Sequence, residues 1–200
     1  MNYFFTADEH YGHSSIIGLC SRPFSDTDEM RERLIENFNS KVGPGDMTYH
    51  LGDMFWRKLQ VYDCVDILKR LNGQHYYILG NHEEVLERKE SFLLMSRLAG
   101  ISDVKMLKHE TKRVWMSHYA HRSWPKSHQG SYHVFGHTHG VLEDFGMSHD
   151  VGVDANDYYP VSFDELDTLM QSKKIEAVFK ESVTKNHDLL KGLNDAGHTL

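Results

Sequence analysis

Fifteen histidines stand among the 200 residues of this chain, more than a core needs. Histidine is the commonest metal ligand and the usual proton shuttle. Several of these fall in short motifs with carboxylates and glycines. The motifs are Asp8-Glu9-His10, Gly52-Asp53, Gly80-Asn81-His82-Glu83, the isolated His118, and Gly136-His137-Thr138-His139-Gly140. Asp8 and His10 are two apart at the expected end of a strand, so alternation predicts both side chains on one face. His137 and His139 have the same relation, and Gly136 and Gly140 let the backbone turn tightly around them. Gly52 and Gly80 permit close approach of the backbone to a ligand. Asp8, His10, Asp53, Asn81, His118, His137 and His139 make seven candidate metal ligands. One ion rarely takes seven, whereas two ions sharing one carboxylate would take four each. Two-metal sites are the standard device for displacement at phosphoryl esters. With nitrogen and oxygen donors and no thiolate, manganese comes first, with iron, zinc or nickel as alternatives.

The elements that must position these residues follow from periodicity. Tyr3 to Ala7, Thr48 to Leu51 and His75 to Leu79 read as strands. Asp26 to Val42 reads as a helix, with Asp26 and Glu29 as a capping pair and Met30, Leu34, Phe38 and Val42 recurring every four residues. Leu59 to Leu71 is a second helix, closed by Asn72-Gly73. Glu83 to Leu98 is expected as a third. Short strands follow at Asp103 to Leu107, Arg113 to Ser117, Tyr132 to Phe135 and Ser148 to Val153. Ser162 to Gln171 is a helix opened by the capping box of Ser162 and Glu165. The pattern is α/β, and all five motifs fall at strand ends, where ligands gather in such sheets. The expected organisation is one catalytic domain over 1–172 and a C-terminal extension over 173–200.

Composition narrows the function. Net charge is −7, which argues against coating long duplex DNA. Cys20 and Cys64 cannot build a disulfide framework, and a reduced, cytoplasmic setting fits. No stretch is long and apolar enough to span a bilayer, and the first residues lack the basic region of a signal peptide. No obligate protein partner is evident.

Taken together and in this order, the motifs resemble the calcineurin-like metallophosphoesterase superfamily from Thr6 to about Gly140. Ser21-Arg22-Pro23-Phe24, Tyr49 to Asp53, and Asp150-Val151-Gly152-Val153-Asp154 followed by Pro160-Val161-Ser162 resemble a small bacterial and phage branch of it. The resemblance implies a four-layer α/β sandwich with two mixed β-sheets flanked by helices. It implies two divalent transition-metal ions. Asp8, His10 and His139 would hold the first, Asn81, His118 and His137 the second, and Asp53 would bridge them. A metal-bridging hydroxide would be the nucleophile. His82 would donate to the substrate or protonate the leaving oxygen, and Glu83 would orient a histidine. Many members carry a second acidic residue after the Gly-Asp motif, and Asp53-Met54-Phe55-Trp56-Arg57 has none. The length leaves no room for the cap domains of larger relatives.

The function implied is a dinuclear metal-dependent phosphohydrolase, first of all a phosphodiesterase. Two divalent ions, two carboxylates and a hydroxide leave about +1, which a phosphodiester monoanion balances. A phosphomonoesterase acting on a small phosphorylated metabolite or nucleotide is the alternative. It would need another cation from Arg22, Arg57, Arg122 or Lys126. A non-catalytic binding scaffold of the same fold is a further alternative, against which the complete ligand set argues. The partner is a phosphate ester, with nucleotides and nucleic-acid ends among the candidates. Arg22, Trp56, Arg57, Arg122 and Trp124 are the candidate substrate contacts. Trp56 is expected at the rim, where it could stack a base, and Phe55 in the core. The loop carrying Arg122 and Trp124 is expected to overhang the site. His13 is read as capping a helix. His50, His75, His109, His133, His149, His187 and His198 are read as structural, and Cys20 and Cys64 as packing residues.

Overall fold

The structure, a computed structural model, describes residues 1–173. The expected extension over 173–200, with His187 and His198, lies outside the described residues apart from Lys173. Two sheets form the frame. The first has the order β4-β3-β2-β1-β9, from β1 (Tyr3–Thr6), β2 (Met47–His50), β3 (Gln74–Ile78), β4 (Gly100–Ser102) and β9 (Val161–Ser162). Strands β1 to β4 run parallel, and β9 is antiparallel to β1, pairing Phe4 with Ser162. The second sheet has the order β5-β6-β7-β8, from β5 (Val104–His109), β6 (Lys112–Ser117), β7 (Tyr132–Phe135) and β8 (Ser148–Asp150). There β5 and β6 form an antiparallel hairpin, and β6, β7 and β8 run parallel. Both sheets are therefore mixed.

Alternation along the strands divides the core in two. Phe4 and Tyr77 face the helical layer, packing with Met30, Leu34 and Phe38 of α2 (Thr27–Lys41) and with Val61, Val65 and Leu68 of α3 (Val61–Arg70). Phe5, Tyr49 and Ile78 face the other way and meet Leu107, Val114, Met116, Tyr132 and Val134 of the second sheet. Leu166 and Met170 of α5 (Phe163–Gln171) close this inter-sheet core. Over the outer side of the second sheet, Trp124 and His121 of the 118–131 loop pack against His133.

The helix ends follow their capping chemistry. Asp26 accepts from the N–H groups of Asp28 and Glu29 at the start of α2. The return bond from Glu29 goes to Ser25 rather than to Asp26, so the box is shifted by one residue. At α5 the box of Ser162 and Glu165 is complete.

The helix expected over Glu83 to Leu98 is absent. The segment is a run of turns, a 3-10 turn at Lys89–Ser91 and a single helical turn, α4 (Phe92–Met95). Glu83 is drawn back onto the N–H groups of Gly80 and Asp53, and Arg88 donates to the carbonyls of Leu59 and Arg57. These long-range bonds fix the chain in a path that an unbroken helix could not follow. Beyond the last expected helical residues, Gly100–Ser102 forms β4 instead, and β8 ends at Asp150 rather than Val153. A short helix, α1 (Ser14–Leu19), starts after His13.

Candidate metal centre

All seven candidate ligands lie in loops that leave the C-terminal ends of β1, β2, β3, β6 and β7. This is the edge at which parallel strands present their following loops to a ligand. Five of the seven hold left-handed backbone: Asp8 at φ 60, His10 at 52, Asp53 at 55, His137 at 69 and His139 at 49. Residues with side chains rarely adopt that region, and such outliers gather at functional sites. Asp8 and His10 are thus brought together by strained turns beyond the end of β1, and strand alternation does not explain their meeting.

Close approach then depends on missing side chains. A Cβ on Gly136 would stand 2.5 Å from Ala7 Cβ and 2.6 Å from Asp8 Oδ2. One on Gly52 would stand 2.5 Å from His118 Nδ1, and one on Gly80 would collide with Asp53 Oδ1.

The ligand atoms converge in two groups, each within 4.8 Å: Asp8, His10 and His139, and Asp53, His118 and His137. Asp53 Oδ2 links them, 3.8 Å from His10 Nε2 and 3.6 Å from His118 Nε2. The other oxygen of Asp53 accepts from the N–H groups of Asn81 and His82, both at 2.9 Å. Asn81 Oδ1 lies 3.0 Å from His118 Nε2, at the second group. His118 Nδ1 donates to the Leu51 carbonyl at 2.6 Å, which leaves Nε2 as its free ligand atom.

The residues fit a cation. Asp8 is fully buried, and its Oδ1 has no hydrogen-bond partner among the described residues. Burial, with Asp150 and Asp53 nearby, raises its carboxyl well above the usual range. A divalent ion would satisfy that oxygen and restore the carboxylate. Burial, with His139 and Arg22 adding to it, lowers His10 to about 2. It therefore stays neutral, the form that binds metals. His118 is lowered too, chiefly by burial.

Behind the first group stands a support that local sequence reasoning missed. Asp154 accepts from His139 Nδ1 at 2.6 Å and takes the Arg22 guanidinium in a bidentate pair at 2.7 and 2.8 Å. The same guanidinium donates to the Asp8 and Glu9 carbonyls, so it clamps the turn that carries Asp8 and His10. Asp150 accepts from Thr138 Oγ1 and the Gly140 N–H, and fixes the loop of His137 and His139. Both acids fall in the Asp150 to Asp154 stretch, the one signal that could have found them. Cys20 also lies within 4.8 Å of His139 and Asp154, but both Asp154 oxygens are already engaged. Behind the Asp8 turn, His50 Nδ1 donates to Glu9 Oε1 at 2.7 Å, and His50 Nε2 lies 3.1 Å from His75 Nδ1. Glu83 orients no histidine among the described residues. It braces the N–H groups of Asp53 and Gly80 and accepts from the Tyr77 hydroxyl.

The other expected contacts separate. His82 is half-buried, with its ring 5.8 Å from the ring of His10. Trp56 is at the rim, 5.4 Å from His82, but its ring lies flat on His13 at 3.5 Å. The exposed Arg57 sits over Trp56, with Glu84 4.0 Å away. Arg22 is buried and committed to Asp154 and the backbone, so it stands behind the ligands rather than before a substrate. Arg122 covers the Phe145 ring at 3.8 Å. Trp124 is buried and donates to the Ser131 carbonyl, and Phe55 is in the core.

The Methanocaldococcus jannaschii protein MJ1445, named as uncharacterised, is 28% identical over 176 residues, covering 84% of this chain and 91% of that one. Among solved structures, the Aquifex aeolicus protein AQ665, a protein of unknown function, superposes with a TM-score of 0.64 at 25% identity. The match covers 84% of this chain and 98% of that one. YfcE, a phosphoesterase from E. coli, gives a TM-score of 0.43 at 20% identity, over 76% and 78% of the two chains. The pattern of the calcineurin-like phosphoesterases matches residues 1–141. That span takes in all seven candidate ligands, and on its extent the chain belongs to the calcineurin-like phosphoesterase family.

Proposed function

We propose that the protein is a dinuclear metal-dependent phosphohydrolase that acts on phosphodiesters. The observation that carries the reading is Asp53 Oδ2, placed between His10 Nε2 and His118 Nε2 and so between the two ligand groups. Asp8, His10 and His139 would hold one ion, Asn81, His118 and His137 the other, and Asp53 both. Bound ions would supply positive charge opposite the phosphoryl oxygens and a water acidic enough to attack at neutral pH.

The chain's own residues do the rest. The N–H groups of Asn81 and His82 hold one oxygen of Asp53, which aims the other between the groups. Asp154 fixes which nitrogen of His139 faces the centre. The imidazole of His82 makes no hydrogen bond among the described residues, and it is placed to donate to a substrate or to protonate a leaving oxygen.

The commitment of Arg22 favours a diester over a monoester. That guanidinium was one source of the extra positive charge a dianion needs, and it is spent on Asp154 and backbone carbonyls. Arg57 keeps the monoester reading in play, since it is exposed and lies over Trp56, whose ring stands beside His82.

The test is hydrolysis of a chromogenic phosphodiester beside the matching monoester by protein stripped of metal and reloaded with manganese. Preference for the diester is expected. Preference for the monoester, lost in Arg57→Ala, would replace it with the phosphatase reading.

A further inference from the structure

We propose that Tyr119 forms the subsite for the organic group of the ester, and that this group is planar and aromatic, a nucleobase in the natural substrate. The inference rests on the phosphohydrolase reading and names its substrate class. Tyr119 follows the ligand His118 directly, and its ring stands 5.1 Å from His118 and 4.7 Å from His137. It is nonetheless 49% exposed. Its position is set: Ser117 Oγ donates to the Tyr119 carbonyl at 2.8 Å, and the Gly136 N–H ties the His118 carbonyl to the neighbouring strand end at 2.9 Å. No ring among the described residues lies flat on it, and its hydroxyl has no partner among them.

Trp56, the stacking candidate from sequence, differs. His13 covers it at 3.5 Å and 5°, and Arg57 lies 5.0 Å from its centroid. The open aromatic surface is therefore on the His118–His137 side. Val141 and Leu142, which follow His139 by two and three residues, are also open to solvent, 88% and 49% exposed. Apolar surface held in water beside a centre that binds phosphate is recovered when a flat π-system covers it. Such stacking tolerates any base and strengthens binding by ~5- to 100-fold.

The test measures binding without turnover. Saturation-transfer NMR on the zinc-loaded protein would compare two phosphomonoesters, adenosine 5′-monophosphate and glycerol phosphate. The nucleotide is expected to bind ~5- to 100-fold more tightly. Tyr119→Ala should lose that preference while keeping the zinc content and circular dichroism of the parent. Tyr119→Phe should keep it. Equal binding of both probes by the parent, or a preference that survives Tyr119→Ala, overturns the subsite and leaves the phosphohydrolase reading untouched. Preference for the nucleotide in a protein that hydrolyses no ester supports the subsite and counts against the phosphohydrolase reading alone.

Discussion

Asp53 has one oxygen close to both candidate ligand groups, and its other oxygen is pinned by two backbone N–H groups; in the proposed centre it is the shared ligand. Asp53→Asn keeps that shape and removes the charge. Calorimetric titration with manganese should show both ions weakened together, each by at least about 100-fold, the upper end of what losing an indirect partner costs. Loss at one site only would refute the shared role. His82→Ala should leave metal content intact and lower turnover by ~10²–10⁴ on an ester with a poor leaving group, with little change on a good one. Equal losses on both esters would remove the acid role. At this scale the seven candidate ligands were legible as a set because their motifs are local, and the fold brings them to one edge of the strands. Arg22 and Asp154 were not, because their meeting spans 132 positions and the short stretches that carry them show a resemblance without a role. Arg22 was read as reaching for phosphate, and the folded chain uses it on the backbone of Asp8 and Glu9.

Among the elements, the turns at strand ends matter more than the strands. Gly136→Ala adds a methyl group where Ala7 and Asp8 already stand within 2.6 Å. It should cost about 1–3 kcal/mol in denaturant titration, as overpacking does, and weaken metal binding at the Asp8 group more than at the other. An unchanged midpoint and unchanged affinity would show that the β1 and β7 loops can part freely. Helices α2 and α5 were legible because capping residues and four-residue spacing agree. The stretch from Glu83 to Leu98 is rich in helix-forming residues, but Glu83 and Arg88 are bound to distant backbone, and tertiary bonds override propensity there. Strand β4 was hidden because it is only three residues long, directly after the stretch read as helix, while its pairing partner Tyr76 lies far back in the chain.

For the molecule as a whole, two buried histidines away from the candidate ligands set an acid limit. Burial lowers His133 to about 4 and His75 to about 3, the latter helped by His50. Above pH 6.5 both are neutral folded or unfolded, so neither contributes a pH dependence. Below it the unfolded chain takes up protons that the folded chain refuses, and stability falls until the folded values are reached. Each should cost about 2 kcal/mol between pH 7 and pH 5. His133→Gln should lower the denaturant midpoint at pH 7, yet lose less than the parent on going to pH 5. An equal loss in both proteins would show that His133 does not carry that share. The described helices include none long and apolar enough to cross a membrane. The strand order has a consequence for synthesis. The first 81 residues bring Asp8, His10, Asp53 and Asn81, but His118, His137 and His139 come later, and Asp154 and the pairing of β9 beside β1 later still. A nascent chain therefore holds an incomplete set of donors until nearly the whole frame has emerged. Tight uptake of metal at the proposed centre would therefore mark the completion of folding, and a chain stalled at mid-length would have no finished centre in which to trap the wrong ion.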